Sequence, residues 1–96
     1  MLRALLALAA LALGACVTSP PVQEMSDARQ AINAAEAADA ARLAPGSLSD
    51  AQRFLAEAQR QLEDEAYGQA RFNAVRAKNR AALALRMSQS ATDDPD

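Results

Sequence analysis

Cys16 is the chain's single cysteine, and it stands where an apolar N-terminal segment ends. Gly14 and Ala15 come directly before it, and both are small enough to enter the cleft of a peptidase. A chain cut after Ala15 would begin with the Cys16 thiol. The chemistry to consider first is therefore cleavage at this bond and modification of the sulfur.

The preceding residues have the layout of an export signal. Arg3 supplies a positive start, and residues 5–13 form an apolar core of leucine and alanine. A transmembrane helix is the alternative, but it needs about 20 apolar residues to cross the hydrocarbon layer. The apolar run stops at Val17, and two prolines follow at positions 20 and 21. The sequence therefore predicts a cleaved signal peptide over residues 1–15.

The segment Leu13-Gly14-Ala15-Cys16 resembles the lipobox of bacterial lipoprotein signal peptides. The resemblance implies cleavage between Ala15 and Cys16, a diacylglyceryl thioether on the sulfur, and a further acyl chain such as palmitate on the new N-terminus. Two or more chains hold a protein stably on a membrane. Because Val17 is not an aspartate, the resemblance implies the outer membrane, facing the periplasm, rather than the inner membrane. Secretion with a free Cys16 is disfavoured, since an unpaired thiol invites intermolecular pairing.

Other reactive groups are scarce. The chain contains no histidine, so the commonest general base is missing, and its serines have no partner base. The acidic runs Glu63-Asp64-Glu65 and Asp93-Asp94 lack the spacing of a metal site. We expect no enzyme activity, cofactor, metal or small-molecule substrate.

Charge sets a further limit on function. Ten basic residues less Arg3 leave nine against twelve acidic residues, a net charge of −3 after cleavage. Nucleic-acid binding calls for a strong basic excess, so we do not expect it.

Hydrophobic spacing predicts an all-α domain over residues 25–88, folded as a small antiparallel helical hairpin or a three-helix bundle. Residues 16–24 are predicted to be a lipidated tether and residues 89–96 an acidic disordered tail. The predicted helices cover 25–43, 48–64 and 67–88. Pro45-Gly46 is expected to end the first helix, and Ser47 with Asp50 to cap the second. A break at 64–67 is favoured over one continuous helix, because acidic residues suit a helix N-terminus.

Apolar residues recur at spacings of three and four on one face of each predicted helix, and they are mostly alanine in the third. These seams are Met25, Ala28, Ile32, Ala35 and Ala38; Leu48, Ala51, Leu55, Ala58 and Leu62; and Tyr67, Ala70, Ala74, Ala77, Ala81 and Ala84. The second has the rhythm of a coiled coil. Small side chains allow close approach of helices, so we expect tight packing within the molecule, with packing across an oligomer as the alternative.

The third predicted helix is basic, with no acid between Ala66 and Thr92. Its charges could contact anionic lipid, glycolipid or an acidic partner. They spread over more than half of the helix surface, which favours instead a solvated face paired with the acidic ends of the first two helices. The candidate residues are Arg71, Arg76, Lys78, Arg80 and Arg86.

The segments 25–32, 44–45 and 48–62, with Tyr67 and Ala70, resemble a family of small proteobacterial helical proteins. It is a domain of unknown function found in short lipoproteins and ahead of OmpA-like domains. The resemblance implies an envelope location and a helical hairpin or three-helix fold, with no activity or site residues to transfer. Because no OmpA-like domain is present here, the resemblance does not imply direct peptidoglycan binding.

The sequence therefore predicts a structural or adaptor lipoprotein that presents a helical surface to another envelope protein, or that forms a homo-oligomer. The alternative is a direct binder of cell wall or anionic glycolipid through the basic helix 67–88. Charge-driven binding weakens as ionic strength rises, whereas apolar helix docking does not, so salt separates the two.

Overall fold

A computed structural model describes residues 19–93, which are all-α. No strand occurs within that range. The predicted signal segment, Cys16 and residues 94–96 lie outside it. The helices are α1 (Val22–Ala37), α2 (Ala40–Leu43), α3 (Pro45–Glu63) and α4 (Tyr67–Asp93).

The three long helices form an up-down-up bundle. At one end Met25 of α1 packs with Ala58 of α3 and Ala74 of α4. At the other end the cluster contains Ile32 of α1 and Leu48 of α3, together with Ala81 and Ala84 of α4. These pairings require α1 and α4 to run parallel and α3 to run antiparallel to both. Of the two predicted architectures, the three-helix bundle is the one that forms.

Alanine builds most of the core. The predicted alanine seam of α4 is fully buried within the single chain, which confirms tight packing inside the molecule. The large buried apolar side chains are few and come from α1 and α3, namely Met25, Ile32, Leu48 and Phe54. Half-buried Leu55 packs against all three core clusters and so links the two ends of the bundle.

The predicted tether, residues 16–24, ends earlier than expected because the bundle begins before residue 25. Pro21 is fully buried, and α1 begins at Val22, three residues before the predicted start. Two prolines before a helix do not prevent it from starting, because the first N–H groups of a helix have no intrahelical acceptor to lose. The carbonyl of Ser19 accepts a hydrogen bond of 2.9 Å from Arg71. Residues 19–24 therefore belong to the bundle.

The first predicted helix, 25–43, is divided in two. α1 ends at Ala37, and Asp39 adopts a left-handed backbone with φ 65° before α2 begins. Aspartate tolerates this conformation better than most residues with a side chain. Its N–H donates to the carbonyl of Glu36 at 3.0 Å, and its carboxylate pairs with Arg42 at 2.7 Å.

The prediction for the start of the second helix was wrong. Pro45 and Gly46 follow the end of α2 at Leu43, as expected, but they are also the first residues of α3, with Ala44 at its N-cap and no side-chain cap. Proline suits the first helical position because its φ is preset and its missing N–H is not needed there. Ser47 lies inside α3 and donates to the sulfur of Met87 at 3.5 Å, while Asp50 pairs with Arg53 at 3.2 Å.

The predicted break between the second and third helices is present. α3 ends at Glu63, and Glu65 adopts φ 61°. The N–H of Ala66 donates to the carbonyl of Gln61 at 2.8 Å, and that of Glu65 to Leu62 at 3.1 Å. This pair of bonds is the Schellman motif, which normally places glycine where Glu65 stands.

The third long helix extends further than predicted. α4 continues to Asp93, so residues 89–93, expected to be a disordered tail, are helical. No proline or glycine interrupts these residues, and the hydroxyl of Ser88 just before them donates a hydrogen bond of 2.8 Å to the carbonyl of Ala84. None of the helices between residues 19 and 93 is long and apolar enough to cross a membrane.

Candidate functional site

The predicted lipidation and cleavage residues, Cys16 and Ala15, lie outside the described residues. The other sequence-predicted site, the basic set of α4, lies entirely inside them. Its geometry decides which of these side chains are available for binding.

Arg71 is engaged within the bundle. Its guanidinium lies 3.4 Å from the carboxylate of Glu24 on α1 and donates to the carbonyl of Ser19 at 2.9 Å. Both partners of the ion pair are about one-third exposed. Arg71 therefore ties the start of α1 to α4 instead of facing a ligand.

Arg76 is engaged with aromatic rings. Its guanidinium carbon lies 4.1 Å from the centroid of Phe54 on α3 and 5.4 Å from that of Phe72 on its own helix. Arg53 approaches the ring of Phe54 at 4.8 Å. A cation over a ring face is attracted by the ring's quadrupole, and partial desolvation strengthens the attraction. Arg76 thus covers the buried ring of Phe54 and contacts the exposed ring of Phe72.

The remaining three basic side chains are exposed. Lys78, Arg80 and Arg86 form no ion pair with any residue in the range 19–93. The expected pairing of the basic helix with the acidic ends of the first two helices is therefore limited to Arg71 and Glu24. At about 100° per residue, Lys78 and Arg80 point to opposite sides of α4, toward α1 and α3 respectively. The sequence predicted that the basic residues spread around the helix and do not form one stripe, and the structure agrees.

Large apolar side chains occupy the side of α4 that faces away from the bundle. Phe72 is 62% exposed and Val75 41% exposed. Relative to the buried Ala77, Phe72, Val75 and half-buried Leu83 lie about 120–160° around the helix. We call this surface the α4 outer face, formed by Phe72, Val75, Asn79, Leu83 and Arg86. Met87, 45% exposed, lies at its edge beside Ser47.

The apolar residues of the α4 outer face were not predicted from the sequence to form a site. The information was present in the spacing. Once the alanines at 70, 74, 77, 81 and 84 are assigned to the buried face, a residue such as Phe72 must lie on the opposite side. The contact between Arg76 and the Phe54 ring, in contrast, depends on how α3 packs on α4, which the sequence alone does not specify.

Polar groups next to this face are satisfied. The amide of Asn73 donates to Gln61 at 2.8 Å, and Gln61 donates to Glu57 at 3.3 Å. Within residues 19–93 no buried side-chain polar atom lacks a partner, no pocket is found, and no three metal-binding side chains come together. What the described surface offers is an exposed apolar face flanked by cations, which suits macromolecular contact.

The comparisons with known proteins show a family and assign no activity to it. Residues 23–94 match the family described as Domain of unknown function (DUF4398). No curated protein and no solved structure matches the chain. Because the match covers most of the chain, the protein belongs to the DUF4398 family.

Proposed function

We propose that the protein is a bacterial envelope lipoprotein, anchored through Cys16, whose helical bundle acts as an adaptor for another envelope protein. In this proposal the signal segment over residues 1–15 is removed and the acylated N-terminus holds the bundle at the outer membrane, on its periplasmic side. The α4 outer face is the surface that the adaptor presents.

The observation that carries the adaptor role is the distribution of large and small side chains on α4. Its buried face is built from alanine, while Phe72 and Val75 are directed outward. In a domain this small, large apolar residues are needed to stabilise the core. The exposure of Phe72 and Val75 on one helix is explained if the surface of another molecule covers these side chains.

Support for the anchor comes from the sequence. The lipobox-like segment ends at Cys16, and Pro21 is already buried in the bundle. Only residues 17 and 18 separate the acylated residue from Ser19, whose carbonyl is bound by Arg71 of the bundle. The three residue steps from Cys16 to Ser19 reach at most about 11 Å when extended. The bundle is therefore held close to the membrane surface, with little freedom to move away from it.

A second candidate is direct binding of an anionic glycolipid or cell-wall polymer through α4. Three exposed cations that form no ion pair within residues 19–93, Lys78, Arg80 and Arg86, favour it. The engagement of Arg71 and Arg76 within the bundle removes two of the five charges it would use. The adaptor role is therefore the better supported of the two.

Native-complex analysis of mild-detergent membrane extracts tests the adaptor role. The wild-type protein should migrate in a complex larger than the isolated chain, and the complex should persist when salt is raised from about 0.15 to 1 M, where charge-driven contacts are screened over a few ångströms. Phe72→Ala should dissociate it. Val22→Ala, at a 70% exposed position on α1, is the matched control and should leave it intact.

Dissociation by salt together with indifference to Phe72→Ala would support the glycolipid or cell-wall alternative. Migration of the wild-type protein as a single chain under all conditions would contradict the adaptor role.

A further inference from the structure

We propose that the α4 outer face binds an acidic amphipathic helix of the partner protein, about 15 residues long, with a carboxylate placed opposite Arg86. This inference rests on the proposed adaptor function and specifies the chemistry of its partner.

Charge is strongly segregated between α4 and the rest of the bundle. α4 carries five basic residues and a single acid, Asp93, at its last position. Residues 19–66 carry nine acidic residues and four basic ones. A partner that covers the α4 outer face therefore meets cations on both flanks, and acidic flanks on the partner provide the complement.

The pattern within the face indicates a helix. Phe72, Val75 and Leu83 lie within about 80° of one another around α4, so the face is a narrow strip along the helix axis, a shape that another helix can cover. From Phe72 to Arg86 the face is about 21 Å long at 1.5 Å per residue. A helix of about 15 residues matches this length.

Two polar residues lie on the side of α4 opposite its buried face and argue for a protein partner. Asn79 and Arg86 lie about 160° and 180° around the helix from the buried Ala77; Asn79 falls between Val75 and Leu83, and Arg86 lies at the C-terminal end of the face. Lipid acyl chains cannot satisfy an amide or a guanidinium, so insertion of this face into a membrane would be costly. A partner helix can satisfy both, with a polar group opposite Asn79 and a carboxylate opposite Arg86.

A second copy of the chain is a poorer occupant. Pairing α4 with α4 of another molecule would bring ten basic residues together with two acids. Like charges placed opposite each other in an interface are strongly unfavourable. The outer side of α1 is occupied mainly by Gln23, Ser26, Gln30 and Asn33, so it offers no apolar seam to fit α4.

Photo-crosslinking of the full chain in its native membranes tests the inference. A benzophenone amino acid is placed at Phe72, at the N-terminal end of the face, or at Met87, at its edge near the C-terminal end. Matched probes at exposed Gln30 on α1 and Ser49 on α3 report on other surfaces. The expected result is that both α4 probes crosslink one protein, and that the crosslinked peptides lie in a helical segment with an apolar seam and net negative charge.

Charge reversal then tests the carboxylate. Arg86→Glu should reduce crosslinking from Phe72 by about tenfold, because it places like charges opposite each other. Arg29→Glu, an exposed basic residue on α1, is the control and should leave the yield unchanged.

The outcomes separate this inference from the adaptor role. Crosslinks from α4 to a protein segment that is not acidic, or an unchanged yield in Arg86→Glu, would overturn the acidic helix while leaving the adaptor role standing. Crosslinks to lipid or to a second copy alone would also overturn it. Absence of any protein crosslink from all four probes would overturn the adaptor role itself.

Discussion

At the scale of single residues, two non-glycine residues between positions 19 and 93 hold left-handed backbone conformations at turns. Asp39 follows α1, and Glu65 follows α3. Aspartate can adopt this conformation with local polar support, but glutamate has no such compensation. Gly46 and Gly68, in contrast, both lie inside helices, where an added Cβ would meet no atom within 4 Å.

Glu65→Gly is expected to stabilise the protein by about 0.5–1 kcal/mol. The substitution removes about 1–2 kcal/mol of left-handed strain from the folded state. Part of this gain is offset because glycine loses more backbone entropy on folding than glutamate does. The matched control is Glu63→Gly at the last residue of α3, which should destabilise by about 0.5–1 kcal/mol. The melting temperature of the purified protein is the measurement. A lower melting temperature for Glu65→Gly than for wild type would contradict the account.

Phe54 and Phe72 are the chain's two phenylalanines, and they differ in role. Phe54 is 7% exposed and packs with Ala28 and Ala77, whereas Phe72 is 62% exposed. Phe54→Ala should destabilise by about 3–5 kcal/mol. Phe72→Ala should cost less than about 1 kcal/mol, mainly its contact with Arg76.

Denaturant unfolding of both variants tests this assignment. Equal losses of stability would show that Phe72 is a core residue and would remove the argument for an outward-facing binding surface.

At the scale of elements, the sequence was most informative where a face is defined by repeated small residues. The alanine seam of α4 could be predicted because no other spacing of those residues gives a continuous buried face. Helix boundaries were harder to predict. Pro45 lies just after the end of α2 and also opens α3, and the sequence predicted only the first of these positions.

The alanine seam leaves no room for larger side chains. Ala77 is fully buried between Ala28 of α1 and Phe54 of α3, so Ala77→Leu should destabilise by about 1–3 kcal/mol through overpacking. Ala56→Leu, at an exposed position of α3, should change stability by less than about 0.5 kcal/mol. Thermal unfolding distinguishes them, since 1 kcal/mol corresponds to about 4–8 °C for a domain of this size. Tolerance of leucine at position 77 would mean that the helices are not closely packed.

At the scale of the whole molecule, the sequence predicts much of the fold class but less of the candidate site. Periodic small residues and a few turn signals sufficed for an all-α bundle. The α4 outer face emerges only when it is known that α1 and α3 both pack on one side of α4, leaving Phe72 and Val75 on the other. The sequence already shows that the basic residues concentrate in the last helix. The ion pair between Arg71 and Glu24, in contrast, depends on the parallel packing of α1 and α4.

The anchor is the central claim, because it fixes where the bundle works and how far it can reach. Its most direct test is the intact mass of the protein extracted from membranes, measured beside a Cys16→Ser variant. The account predicts a mass equal to residues 16–96 plus acyl groups, with the acyl mass lost in the variant. A plain polypeptide mass for the wild-type protein, whether processed or full length, would contradict it.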